Sequence, residues 1–207
     1  MIQHRKLVIA LLWLTAASAG LLAQSAQENA NDSARLIKAL DIRAGSKVGE
    51  IGAGGGELTI AMAREVSEAG RVFSNELNAE RLAALGKSAE KAGVHNVTLV
   101  EGREWETNLP PGCCDAIFMR NVYHHFGDPP AMNASLLASL VPGGRLAVLD
   151  FAPDGPESAD PKGRGDQKHH GVTSQTVARE LTAAGFTVLS TEDIHPHLFM
   201  VVARRPE

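Results

Sequence analysis

Cysteine is scarce in this sequence, aromatic residues are few, and positive charge is not in excess. The 207 residues include two cysteines, Cys113 and Cys114, which are neighbours. Adjacent cysteines rarely bridge each other, so the sequence predicts no disulfide framework and a pair buried at a strand entrance. Nor do they have the spacing of a zinc site. Aromatics make up 4% of the chain and the formal charge is −4. Non-specific nucleic-acid binding needs a basic face, so that class of partner is excluded by the charge balance. There is no internal repeat and no low-complexity tract. A Walker-type G-x-x-x-x-G-K-[ST] is also missing, which removes the commonest ATP cradle.

What remains has ordinary globular composition, 44% hydrophobic and 21% charged, enough for one well-cored domain. The N-terminus stands apart from it. Arg5 and Lys6 precede the apolar run "LVIALLWLTAASA", and Ala17-Ser18-Ala19 offers a small-x-small cleavage site. This pattern predicts a secretory signal peptide over residues 1–19 and an exported protein, periplasmic or secreted. An uncleaved anchor over residues 7–23 is the rival, and a cytoplasmic location the alternative if neither operates; membrane association is expected only if the segment is retained. Residues 20–31 read as a polar tether, and the folded domain is expected over 32–207.

Downstream, strand-length apolar runs alternate with helical patterns. Strands are predicted at 47–51, 71–76, 96–101, 115–120 and 145–151, with helices over about 56–67, 78–92, 129–140 and 173–185. Asn78 and Thr173 have the side chains of N-caps. Two last apolar runs, "FTVLSTEDI" and "HLFMVVARR", read as a hairpin. Such alternation specifies an α/β doubly wound, Rossmann-like sandwich with a mainly parallel sheet. Ligands in such sheets bind beyond the carboxyl ends of the strands, where the strand order reverses.

The first strand runs into "GEIGAGGGE", with glycines at 52, 54, 55 and 56. A dinucleotide fingerprint would need its third glycine at position 57, which is Glu57 and would face a pyrophosphate. This argues against a nicotinamide-dependent oxidoreductase. Glu50 and Glu76, at the ends of the first two strands, instead suit a nucleoside joined to a cationic or zwitterionic tail.

Together with "FMRNVYHHFGDP" and "LVPGGRLAVLDF", these stretches make the chain resemble the class I S-adenosylmethionine-dependent methyltransferases over about residues 33–205. The resemblance implies a seven-stranded sheet with an antiparallel last strand, and S-adenosyl-L-methionine as cofactor. It also implies that Glu50, Gly52, Ala53, Gly54 and Gly56 hold the methionine part. Glu76 would bind the ribose, with Leu77 beside the adenine. After the third strand the family shows a glycine followed by an acid. Here Gly102 is followed by Arg103, so Glu104 and Trp105 are expected to meet the base from a displaced position. Arg120 and Asn121 would line the cofactor through their backbone.

Methyl transfer is an in-line displacement that depends mainly on alignment, with a base needed only for a protonated acceptor. The candidates are His124, Asp150 and His170, in the loops after the fourth and fifth strands. His124 and His125 are expected to point in different directions, with at most one facing the pocket. The long polar stretch 152–171 is either a lid presenting His169 or His170, or plain surface. No metal site is expected, because His169, His170 and the nearby aspartates have no recognised ligand spacing. The acceptor is a small molecule, of quinone type among others, or a protein, as in isoaspartate repair. A noncatalytic cofactor-binding module remains the alternative to an enzyme. The oligomeric state does not follow from these residues.

Overall fold

The computed structural model describes residues 25–195 and 197–207, so the signal or anchor reading over 1–23 lies outside the described residues. The chain divides into two compact units, residues 1–35 and 36–207. Of the first, residues 25–35 are described, and they are helical. That helix, α1, spans 25–40 and so begins inside the stretch expected as a tether. Its early turns are polar all round, which hides any periodicity, yet Ala26, Gln27, Glu28 and Ala30 are good helix formers. Among the described residues no helix is long and apolar enough to cross a membrane.

The second unit is a seven-stranded sheet in the order β3-β2-β1-β4-β5-β7-β6. The strands are β1 (Lys47–Ile51), β2 (Arg71–Glu76), β3 (Val97–Glu101), β4 (Cys114–Arg120), β5 (Leu140–Phe151), β6 (Thr187–His195) and β7 (Leu198–Arg204). The first five pair in parallel, whereas β7 runs antiparallel to both β5 and β6. Helices α2 (Glu57–Val66), α3 (Ala79–Lys91), α4 (Pro129–Ser139) and α5 (Ser174–Ala183) connect them. Asn78 caps α3 by accepting from the Arg81 N–H at 2.9 Å, and Thr173 caps α5.

Central strands are buried on both faces, which is why they read as unbroken apolar runs rather than alternating ones. In β4, Ala116 and Phe118 join Leu58, Met62 and Val66 of α2 on one side. Ile117 and Met119 join Met132 and Leu136 of α4 and Val177 and Leu181 of α5 on the other. The edge strand β6 is exposed along most of its length, and Glu192 and Asp193 discourage further pairing there.

Two expectations need correction. Strand β5 begins at Leu140, not at 145, because Leu140 pairs with Cys114 ahead of a register shift. Cys113 and Cys114 are bridged to each other. Within a strand they would point to opposite faces, but Cys113 still belongs to the turn at Pro110–Gly112, and only Cys114 enters the ladder.

The strand order reverses between β1 and β4. The loops leaving these two strands therefore diverge around a crevice, and the glycine-rich segment lies on its rim.

Candidate active site

Beyond Ile51 the chain turns through Gly52, Gly54 and Gly56, with φ of 71°, 55° and 88°. A side chain rarely adopts these values. At Gly52 the requirement is also one of space, since a Cβ would lie 2.5 Å from Val122 Cγ2. The glycine thus lets the β1 loop close on the segment after β4. A Cβ on Gly54 would meet nothing within 4 Å, and this residue lines a cavity of about 830 Å³ at the carboxyl ends of the strands.

Glu76 ends β2 and is buried beside this cavity. Its Oε2 accepts from the Gly54 N–H at 3.0 Å and its Oε1 from the Asn78 N–H at 3.1 Å. A carboxylate has about four acceptor positions, so two remain for a ligand's hydroxyls. Leu77, Glu104, Trp105, Arg120, Asn121 and Gly52 line the same cavity. Asn121 holds φ of 56°, a left-handed conformation that asparagine tolerates better than most residues.

Three of the expected cofactor residues do not line it. Glu50 turns into the interior between α2 and β2. There the Thr59 hydroxyl donates a short hydrogen bond to its Oε2, and the Ser74 hydroxyl donates to the same oxygen at 3.1 Å. Burial pushes this carboxyl up to about 7, opposed by the two hydroxyls and by the charge of Arg120. Ala53 donates its N–H to the Asn75 carbonyl, and Gly56 is the N-cap of α2, so both shape the loop from behind.

At the other end of the cavity, His124 lies in a one-turn 3-10 helix, Tyr123–His125, directly after β4. Asp150 is the penultimate residue of the neighbouring β5. His124 Nδ1 is 2.8 Å from Asp150 Oδ1, and the His124 N–H donates to Oδ2 at 3.2 Å. The Phe151 N–H donates to Oδ1 as well. Facing an acceptor, Nδ1 carries the proton and leaves a lone pair on Nε2. That Nε2 is buried and has no hydrogen-bond partner.

The two histidines lie side by side rather than diverging, although only one of them faces the cavity, as expected. Their ring centroids are 4.0 Å apart, because a 3-10 turn rotates successive residues by about 120° rather than 180°. His125, not His124, lines the cavity. Partial desolvation of its ring, then the neighbouring imidazoles of His124 and His170, hold it below the ordinary histidine range. His170 is exposed and places its ring edge-on to His124, with centroids 4.7 Å apart. His169 turns away, its Nδ1 2.9 Å from the Pro156 carbonyl.

Segment 152–171 is anchored at Arg164, which is 3% exposed. Its guanidinium reaches Glu180 of α5 at 2.7 Å and Glu157 at 3.3 Å. Glu157 in turn accepts from the hydroxyls of Thr173 and Thr176, and Tyr123 donates to Glu180 at 3.0 Å. A buried, paired arginine holds the segment in place, so His170 is carried on a fixed loop. Arg81, Asp128 and Lys162 also line the cavity and were not singled out by the sequence. Only the length of the 152–171 loop hinted that something such as Lys162 would reach it.

Residues 48–144 match the model of a methyltransferase domain. Over 167 residues, 80% of this chain, the sequence is 29% identical to a ubiquinone/menaquinone biosynthesis C-methyltransferase of Marinomonas sp. (strain MWYL1), covering 62% of that protein. The chain spans less than two thirds the length of the curated relatives it matches. Among solved structures, a SAM-dependent methyltransferase from Aquifex aeolicus has a TM-score of 0.72 at 23% identity, over 84% of this chain and 89% of that one. Phosphoethanolamine N-methyltransferase 2 of Haemonchus contortus, solved with S-adenosyl-L-methionine, has a TM-score of 0.72 at 16% identity, over 86% and 53%.

Proposed function

We propose that the chain is a methyltransferase of the class I, S-adenosylmethionine-dependent kind and that it methylates a small-molecule acceptor. The observation that carries this is the glycine-loop cavity, with Gly54 opening into it and Glu76 held at its edge. When bound, the cofactor supplies a sulfonium-activated methyl group for in-line displacement. The protein's own task is placement. Glu76 offers its two remaining acceptor positions to the ribose diol, and Glu104 and Trp105 border the base. Gly52 and Gly54 let the backbone close on the methionine part, with Arg120 and Asn121 opposite.

A small acceptor is supported by the cavity volume, which falls within the roughly 300–1,000 Å³ of small-molecule sites. The likeness to a quinone C-methyltransferase favours a phenol or quinol ring. Such an acceptor would enter at the histidine end, beside His125. Calorimetry with S-adenosylmethionine and its demethylated product, against NAD, tests the cofactor. Product formation across a panel of phenols and quinols then tests turnover. Absence of binding would sink the proposal, and binding without turnover on any acceptor would leave a cofactor-binding module in its place.

We infer further that residues 1–19 direct export. Arg5, Lys6, the apolar run and Ala17-Ser18-Ala19 support this. The mature N-terminus is expected at or within a few residues of Gly20, and arginines at Leu11 and Leu12 should strand the precursor in the cytosol. Recovery of wild-type protein in the cytosolic fraction with Met1 intact would refute it.

A further inference from the structure

We propose that His124, His125 and His170 bind one divalent transition-metal ion of the zinc class, with a coordination position left open toward the cavity. Each residue offers a ring nitrogen, and these atoms all lie within 4.8 Å of one another. The independent observation is the state of His124. Its ring is 1% exposed, and its Nε2 is sealed from solvent without a partner. A buried polar atom left unpaired costs about 1–3 kcal/mol, and proteins seldom carry one without a use for it. The opposite nitrogen is fixed by Asp150 at 2.8 Å. Carboxylate, imidazole and a bare lone pair in this order are the arrangement that orients a histidine ligand and makes it more basic.

The donor set identifies the ion. Three imidazoles, with no carboxylate among them, suit zinc and its late first-row neighbours and not calcium or magnesium. Tetrahedral ligands at about 2.1 Å from zinc stand roughly 3.4 Å apart, so the set must contract by up to about 1.4 Å. His125 and His170 are exposed and reach this by rotation of their side chains, while buried His124 is the fixed member. Phe151 packs against both His124 and His170, with centroids 4.7 and 5.0 Å away, and supplies an apolar wall.

Three protein ligands and one open position are the pattern of zinc sites that act on a substrate rather than brace a fold. Since His125 lines the cavity, the open position faces the acceptor end. An oxygen there, from water or from a phenol-type acceptor, would be held as its anion. The coordination stands apart from methyl transfer; its use on an acceptor rests on the function proposed above.

The test uses the full, tag-free chain, stripped with a chelator and titrated with Zn²⁺ by calorimetry and with Co²⁺ by visible absorption, without cofactor. One ion per chain is expected, with the Co²⁺ spectrum of a tetrahedral site. His125→Ala and His170→Ala, both at exposed positions, should each weaken binding at least tenfold, and Asp150→Asn by about 10–100-fold. His169→Ala should leave it unchanged, because that ring points to Pro156. Binding far below one ion per chain would overturn the proposal. So would affinity that survives His125→Ala and His170→Ala and is lost instead with His195 and His197. Intact cofactor binding alongside failed metal binding would sink this site alone; the reverse would sink the cofactor assignment alone.

Discussion

At the glycine-loop end of the cavity the contacts come from backbone groups and from residues at the tips of neighbouring parallel strands. At the histidine end they come from side chains of a 3-10 turn, the last residues of β5 and a loop fixed by a buried arginine. The first end is local: Gly54 and Glu76 meet because β1 and β2 are adjacent and in register. The second is assembled: His124 depends on Asp150 of β5, and His170 on a loop that Arg164 ties to α5. The first end should therefore lose its ligand abruptly to a single substitution. At the second, function should decline in steps, without disturbing cofactor binding.

The largest effect is expected at Glu76. Glu76→Ala removes two charge-assisted hydrogen bonds to a ribose, each worth about 1.5–3 kcal/mol, so cofactor affinity should fall at least a hundredfold. The same change leaves the Gly54 and Asn78 N–H groups without their acceptor, and the melting temperature should drop as well. Glu76→Gln keeps one oxygen acceptor and should fall between. Calorimetry and thermal melting separate the two consequences, and a loss of less than twofold in affinity would place the ribose elsewhere.

Glu50 gives the next largest effect, on stability and through pH. The folded protein keeps this carboxyl protonated up to about pH 7, whereas the unfolded chain releases the proton near 4.5. The folded state binds more protons between those values, so stability is full below pH 4.5 and declines as pH rises through 7. The window corresponds to about 3 kcal/mol. Glu50→Gln, which keeps an oxygen for Thr59 and Ser74, should flatten that part of the profile and raise the melting temperature at pH 8. Identical pH slopes for the two proteins in denaturant titrations would show that Glu50 is charged in the fold.

Asp150→Asn acts at the assembled end. An amide can present its NH₂ to His124 Nδ1 and reverse the tautomer, taking the lone pair off Nε2. Through the metal site proposed above, turnover should fall by about 10–100-fold, while affinity for S-adenosylmethionine stays within twofold of wild type. A parallel loss of cofactor binding would mean that the two ends are not separable.

The same division explains what could be read in advance. The bounds of β1 and β2, the caps at Asn78 and Thr173 and the switch-point loop are set by local pattern, and they stand as expected. The burial of Glu50 was not legible, because the register that sets Ser74 beside it and the helix that brings Thr59 are tertiary facts. The histidine cluster was hidden for a similar reason. His124 and His125 carry no ligand spacing, and His170 reaches them only because Arg164 pins its loop to α5. Polar composition concealed α1, and a turn in place of a strand residue allowed the Cys113–Cys114 bridge.

The smallest effect, and the one that tests the glycine-loop end most finely, concerns the base. Trp105 is 56% exposed and lines the cavity next to Glu104, while the neighbouring Arg103 is engaged by Glu106. Stacking of an adenine on the indole is worth about 0.5–1.5 kcal/mol, so Trp105→Ala should weaken cofactor binding by roughly three- to tenfold. Arg103→Ala breaks only a surface ion pair and should move the melting temperature little. If Arg103 rather than Glu104 meets the base, Arg103→Ala will cost affinity and Glu104→Gln will not. The other tryptophan is Trp13, so in a chain lacking residues 1–19 the tryptophan fluorescence comes from Trp105 alone. Titration of that chain with the demethylated cofactor should change the fluorescence in step with the calorimetric binding curve. A flat signal at saturation would remove Trp105 from the site and leave the base to Glu104 or Arg103.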